Sequence, residues 1–370
     1  MVDDYAIRGH RLPGQENTVL MGVRAMEWPF VSVILPVRNE EKFIVDCTRS
    51  IFAQDYPREK MEVIFVDGCS TDRTVALLEE LQKEYPQIRI LHNPNKTVPY
   101  AMNIGIRACK GPYIVRLDAH AYYGADYISL SIRTLMEKDC DNAGGIFVTH
   151  GRGFWGEAIA AGLCTPFGVG NATYRLATRD GYVDTVPFGA FRKELFDRIG
   201  LYDERMTRNQ DNELNFRIRK NGGKIYLNRD IQVQYYCRDS LRGIMDMGFK
   251  NGKWNIITMT LCPGSMGMRH FVPMLFVLST LGLILLTALF GPAVFGTLLG
   301  LEWGAYMLLD VFYSYQIAQE KGWKFFLADL IFFPAFHWAY GIGSLFGIAA
   351  LPGFLREERD KKKAGKREGQ

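Results

Sequence analysis

The 370-residue chain has no Cys-x-x-Cys pair. Its seven cysteines (Cys47, Cys69, Cys109, Cys140, Cys164, Cys237 and Cys262) are scattered and odd in number, which argues against a zinc site and a disulfide framework and for reduced thiols. It has no apolar run before Pro29. Residues 1–29 are polar, with Asp3 and Asp4 near the start, so no secretory signal is expected and the N-terminal part should stay in the cytosol. It also has little net charge. The formal balance is +4, and Arg356–Gln370, with 7 Lys/Arg against 4 Asp/Glu, supplies +3 of it. The rest is close to neutral, so no nucleic-acid partner is expected.

What the chain does have is an uneven distribution of apolar residues. Phe271–Phe290 is twenty residues without a charge, and from Gly291 to Ala350 the only charges are Glu302, Asp310, Glu320, Lys321, Lys324 and Asp329. A hydrocarbon core about 30 Å thick needs about 20 apolar helical residues. A wholly soluble chain is therefore not expected. Three apolar stretches are expected to be helices, at 271–290, 293–315 and 326–350. Gly296, Gly300 and Gly304 in the second, spaced by four, should leave one face bare for close helix approach. Three crossings would leave the basic tail outside, against the positive-inside tendency. Pro334 makes the third stretch the candidate for a re-entrant or interfacial segment.

Ahead of these stretches, short β-rich runs alternate with helical ones. Strands are expected at Val31–Val37, Glu62–Val66, Ile88–Leu91, Tyr113–Leu117 and Gly145–Val148. Helices are expected at Glu40–Ala53, Asp72–Tyr85, Pro99–Ala108 and Asp126–Lys138. This alternation implies a mostly parallel sheet flanked by helices, with its ligands beyond the carboxyl ends of the strands. The expected organisation is an N-terminal extension at 1–29, an α/β catalytic unit at 30–238 and an amphipathic interfacial segment at 239–269. Membrane helices at 270–352 and a basic tail at 353–370 complete it.

Polar groups follow three strands in turn: Pro36-Val37-Arg38-Asn39-Glu40, Asp67-Gly68-Cys69-Ser70-Thr71-Asp72 and Asp118-Ala119-His120. Asp72 looks like a helix cap. In an extended turn, residues two apart point the same way, so Asp118 and His120 can share a cation such as Mg²⁺ or Mn²⁺ with phosphate oxygens. Asp211, at the start of a helix that stops at Gly222-Gly223, is either a cap or a general base. Gly189, in Pro187–Arg192, would let substrate approach closely.

In order, VSVILPVRNE, VDGCSTDRT, NPNKTVPYAMNIGI, VRLDAH, VPFGAFRKELFDRIGLYDE and QDNELNFRIRKNGGKI resemble family 2 glycosyltransferases of the GT-A fold, over about residues 30–236. Asp118-x-His120, GVGNATYR and HWAYGIGSLFG resemble the branch typified by the succinoglycan-biosynthesis glucosyltransferase, with C-terminal membrane segments. The resemblance implies that Pro36, Arg38 and Glu40 border the nucleotide and that Asp67 contacts its base. It places Lys96 and Asn103 near the donor, gives Asp118 and His120 the metal, and makes Asp211 the base. The family's Glu-Asp is Gln210-Asp211 here, with Gln210 on the acceptor side. Lys250-Asn251-Gly252-Lys253-Trp254 stands where processive members carry Gln-x-x-Arg-Trp. Lys253 would meet donor phosphate, and Trp254 would stack on donor or acceptor sugar or anchor at the interface.

The expected function is inverting transfer from a UDP-sugar, with UDP-glucose first, to a hydroxyl of a polyprenyl-diphosphate-linked saccharide. The setting would be the inner plasma membrane, with the catalytic unit cytoplasmic and membrane lipids as further partners. Two alternatives remain: transfer to a polyprenyl monophosphate, and a non-catalytic scaffold of a polysaccharide assembly complex.

Overall fold

A computed structural model describes residues 27–368, so most of the expected N-terminal extension lies outside the described residues. The catalytic part is built on β1 (Val31–Val37), β2 (Met61–Asp67), β3 (Ile88–His92), β4 (Tyr113–Arg116), β5 (Tyr122–Tyr123), β6 (Asn142–His150), β7 (Gly181–Tyr182), β8 (Ala190–Arg192) and β9 (Ile225–Tyr236). Its helices are α1 (Ile44–Phe52), α2 (Thr74–Glu84), α3 (Val98–Ala108), α4 (Tyr127–Glu137), α5 (Gly153–Gly162), α6 (Pro166–Val169), α7 (Thr173–Leu176), α8 (Glu194–Ile199) and α9 (Gln210–Lys220).

The sheet runs β3-β2-β1-β4-β8-β6-β9-β5, with β7 on β9. The β3-β2-β1-β4 half is parallel, as the strand–helix alternation predicts. The other half is mixed: β8 is antiparallel to both β4 and β6, while β6 and β9 are parallel. β1 and β2 are buried on both faces, which is why they read as unbroken apolar runs. Pro36 is tolerated because the β1–β4 ladder ends at Ile34 opposite Arg116, so no partner strand waits for its missing N–H. One core lies between the sheet and α1, α2 and α4, the other between the sheet, α3, α8 and α9.

Four long helices follow: α10 (Leu241–Leu261), α11 (Val272–Phe290), α12 (Phe295–Lys321) and α13 (Phe326–Glu368). α11 and the stretch Trp323–Lys361 are long and apolar enough to cross a membrane. α13 runs unbroken through Pro334 and Pro352 into the basic tail. Pro334, which marked this stretch as a candidate re-entrant or interfacial segment, does not interrupt the helix, and the tail through Glu368 is its end. Leu275, Leu278, Leu281, Leu285, Leu301 and Leu308 are exposed along α11 and α12. An apolar surface of that extent is what lipid or a partner covers. Asp310, Ser314 and Asp329 are buried inside the bundle.

The close helix approach is not where the glycine spacing placed it. Added Cβ atoms at Gly300 and Gly304 would meet nothing within 4 Å. The contact is instead between α10 and α13. A Cβ at Gly252 would lie 2.0 Å from the Tyr340 carbonyl oxygen, and one at Gly343 would lie 2.1 Å from that of Phe249. α10 is accordingly wedged between the α/β unit and α13, with Ile244, Asn255, Ile256, Ile257 and Thr258 buried.

Candidate active site

The carboxyl ends of β1, β2 and β4 meet, as expected, at one edge. The loops after β1 and β2 are tied together. Asn39 N–H donates to Ser70 Oγ at 2.9 Å, Thr71 N–H to Asn39 Oδ1 at 2.8 Å, and Glu40 N–H to Thr74 Oγ1 at 2.8 Å. Asp72 accepts the Thr74 N–H at 3.0 Å at the start of α2, the capping role expected of it. Asp118 is held by Tyr123, whose hydroxyl accepts its N–H at 2.7 Å.

Arg116, the last residue of β4, is 3% exposed and lies between two carboxylates. It donates from Nη1 to Asp211, and its Nη2 is 3.6 Å from Asp118. Asp118 follows two residues after Arg116, just past the end of β4, and Arg116 Nη2 reaches it. The Phe188 ring covers the guanidinium at 5.6 Å. Asp211 is 31% exposed at the N-terminus of α9. Burial raises its carboxyl above the ordinary range, Arg116 opposes that, and the nearby charge of Asp118 adds to it.

The start of α9 is fixed from outside the α/β unit. Asn209 is left-handed, with φ +60°, and its amide donates to Asn255 Oδ1 at 2.8 Å and to Thr258 Oγ1 at 3.3 Å. Arg208 Nη1 donates to Asn251 Oδ1 at 2.9 Å. Asn251, Asn255 and Thr258 recur at helical spacing on one face of α10. Beside them opens a cavity of about 420 Å³, lined in part by Phe147, Tyr174, Phe188, Arg208, Gln210 and Asp211.

Several expected site residues do not line this cavity. Asn103 is buried, and its amide is spent on the Tyr202 backbone, 2.9 Å to both N and O, and on Glu204, which makes it a strut. Gly189 (φ +85°) gives up its Cβ space to Asn142 Oδ1 rather than to the cavity, and its carbonyl accepts the Arg116 N–H at 3.1 Å. Trp254 packs edge-on against Phe354 of α13 at 6.0 Å, and the backbone of Lys253 faces Gly347. The rotation of α10 thus presents Asn251, not Lys253 or Trp254, to the cavity. Pro36, Arg38 and Lys96 border the β1–β2 edge, where Arg38 and the Lys96 carbonyl flank Gly68. Both Asp67 oxygens accept the Ser70 N–H at 3.2 Å.

Residues 32–200 match the model of the family described as Glycosyl transferase family 2. Over 221 residues, 58% of this chain and 68% of the relative, the sequence is 32% identical to an enzyme of Methanococcus voltae. That enzyme is named dolichyl N-acetyl-alpha-D-glucosaminyl phosphate 3-beta-D-2,3-diacetamido-2,3-dideoxy-beta-D-glucuronosyltransferase. The chain belongs to glycosyltransferase family 2. This glycosyltransferase is also 25% identical over 244 residues to the succinoglycan biosynthesis protein ExoA of Rhizobium meliloti, covering 65% of this chain and 74% of ExoA. Its fold matches a mannosyltransferase of Pyrobaculum calidifontis, solved with GDP-Man and Mn²⁺. There the TM-score is 0.57 at 20% identity, covering 86% of this chain and 88% of the other.

The candidate metal motif, Asp118-x-His120, offers two protein donors. Asp118 is 21% exposed and His120 is 62% exposed, with its Nδ1 3.4 Å from Glu40 Oε1. The Glu40 contact, more than the nearby Asp118 charge, raises the imidazole above its ordinary value. No group of three or more His, Cys, Asp or Glu is placed to hold an ion among the described residues. One carboxylate and one imidazole, open to solvent, fit a divalent ion that takes its remaining ligands from phosphate and water. Arg116 and the Arg208–Asn251 pair were not read from the sequence. The signal for Arg116 was present: a cation closing an apolar strand two residues before Asp118.

Proposed function

We propose that this glycosyltransferase moves a sugar, with inversion, from a UDP-sugar to a hydroxyl of a lipid-linked saccharide in polysaccharide or glycan assembly. The observation that carries the reading is the Asp211–Arg116–Asp118 cluster, with Asp211 opening on the cavity. Asp211 takes the proton of the acceptor hydroxyl, and the oxygen attacks the anomeric carbon from the side opposite the diphosphate. The bond from that carbon to the donor's phosphate oxygen breaks, and the nucleoside diphosphate leaves. Arg116 holds Asp211 in place and keeps it apart from Asp118. The loops after β1 and β2, with Arg38, Asp67 and Lys96, receive the nucleotide. A divalent cation, when bound at Asp118 and His120, supplies positive charge to the donor diphosphate.

The lipid-linked acceptor is supported by the name of the Methanococcus relative, which acts on a dolichyl-phosphate sugar, and by the apolar helices beside the site. UDP-glucose is the first donor to test, on the resemblance of the motifs to the succinoglycan branch. α11 and α13 would hold the catalytic unit at the cytoplasmic face of the membrane.

The purified full chain is to be offered a panel of UDP- and GDP-sugars with Mn²⁺ or Mg²⁺ and membrane-extracted lipid-linked saccharides. Transfer from a UDP-sugar that Asp211→Asn abolishes supports the reading. Transfer to a polyprenyl monophosphate that ignores Asp211→Asn would replace it, since that acceptor is already ionised. Silence with every donor would favour a scaffold.

A further inference from the structure

Five arginines of the α/β unit and its borders, Arg89, Arg198, Arg205, Arg217 and Arg269, each pair with a carboxylate. Arg208, the arginine that lines the cavity, does not. Arg208 is half-buried in the cavity wall, and the one hydrogen bond it makes among the described residues goes to a neutral amide, Asn251. Arg175 donates to Thr149 Oγ1 at 2.8 Å and lies over the rings of Phe147 at 5.1 Å and Tyr235 at 4.9 Å. Arg238 is exposed just ahead of α10, and its charge opposes that of Arg208 while the charge of Asp246 favours it. The nearby carboxylate, Asp246, is engaged by Lys250 at 2.6 Å.

Burial and the charge of Arg238 both act against the Arg208 guanidinium, pushing it below the ordinary arginine range. A half-buried cation whose one hydrogen bond among the described residues goes to a neutral amide is costly unless an anion joins it. Guanidinium groups suit phosphate because their paired N–H donors match its oxygens. The cavity runs from Arg208 to Asp211 and is not lined by Asp118, His120 or Glu40. Arg208 therefore stands on the acceptor side of the base, next to α10, the helix that packs on α13.

We propose that Arg208, with the charge of Arg238 in support, seats the phosphate that joins the acceptor saccharide to its lipid. The acceptor then lies with its phosphate at α10 and its reacting hydroxyl at Asp211. Phe147 and Tyr174 form the wall between, with Arg175 packed over their rings. This rests on the reading that the acceptor is lipid-linked, yet its test needs no turnover.

The test measures binding of phytanyl phosphate, with phytanol as the neutral twin, to the full chain in detergent micelles. It compares the wild type with Arg208→Gln, which can keep the bond to Asn251, Arg208→Lys, which keeps the charge, and Arg238→Gln at an exposed position. The wild type should bind phytanyl phosphate well above phytanol. Arg208→Gln should weaken it roughly tenfold or more, the loss of one charge-assisted contact, with Arg208→Lys and Arg238→Gln in between. Saturating UDP with Mn²⁺ should leave that binding in place.

Equal affinity in the wild type and Arg208→Gln would overturn the proposal. So would displacement of phytanyl phosphate by UDP with a matching loss of UDP affinity in Arg208→Gln, because Arg208 would then serve the donor diphosphate. Failure of the lipid-linked reading shows separately, as absent transfer to lipid-linked saccharides while phytanyl phosphate still binds.

Discussion

Arg116 and Asp211, 95 residues apart in the chain, form an ion pair at the heart of the sheet edge, and the same guanidinium reaches Asp118 at 3.6 Å. Without it, two carboxylates would face one another. Removing one partner of a buried pair costs about 3–5 kcal/mol because the other charge is left alone. Arg116→Met is therefore expected to lower kcat by roughly a hundredfold or more, with a smaller change in donor KM. Arg116→Lys keeps the charge but not the two-pronged geometry, and should recover part of the loss. Steady-state kinetics beside a thermal unfolding curve check this. Equal kcat in Arg116→Met and wild type would remove Arg116 from the machinery.

The pH dependence of kcat has a definite sign. Burial raises the Asp211 carboxyl, Arg116 pulls it down, and the balance is upward. The protonated acid cannot take a proton from the acceptor, so activity is lost as pH falls through this raised value. The acid limb should lie above the ordinary aspartate range. Residual activity in Arg116→Met should show a limb at higher pH than the wild type, because the opposing cation is gone. A limb that moves down would contradict Asp211 as the base.

Glu40 and His120 make the next expectation. Glu40 meets His120 Nδ1 at 3.4 Å, leaving the other ring nitrogen for an ion. Partners that orient a ligand imidazole are worth about 10–100-fold in metal affinity. Glu40→Gln should weaken Mn²⁺-dependent UDP binding by that order, and Asp118→Ala should abolish the metal-dependent component. Titration calorimetry with and without EDTA reads both. UDP affinity that ignores EDTA in the wild type would exclude the metal site.

The parallel half of the fold was legible because strands buried on both faces leave unbroken apolar runs, as in VSVILPV and EVIFV. β8 was not: three residues, Ala190–Arg192, carry no periodicity, and their antiparallel pairing is set by tertiary contact. Asp118, His120, Asp211 and Glu40 stood out as polar groups at element ends, and the structure gathers them. Asn103, Gly189, Lys253 and Trp254 do not line the cavity, because a motif gives order along the chain, not the direction in which each side chain turns. On α10, rotation about the helix axis decides whether Asn251 or Trp254 meets the cavity. The glycines of α12 misled similarly, since spacing by four says a face is bare but not that anything packs on it.

That distinction gives a paired prediction. α10 reaches the α9 start through Asn251, Asn255 and Thr258, and its adjoining side lies on α13, where Asn255 also donates to the Tyr340 hydroxyl and a Cβ at Gly252 would be 2.0 Å from the Tyr340 carbonyl. Backbone cannot yield as a flexible side chain can. Gly252→Val must push α10 away from α13 or disturb its contacts with Arg208 and Asn209, at an overpacking cost of about 1–3 kcal/mol. It should lower kcat at least tenfold although Gly252 does not line the cavity. Asn255→Ala, which removes the amide that Asn209 bonds, should lower kcat in the same direction without a packing clash. Gly300→Ala on α12 meets open space, and should leave kcat within twofold while Ala favours the helix by about 1 kcal/mol. Loss of activity in Gly252→Val and Asn255→Ala, but not in Gly300→Ala, would show that the base is positioned through α10. Equal activity in all three would mean that α9 keeps its start without that support.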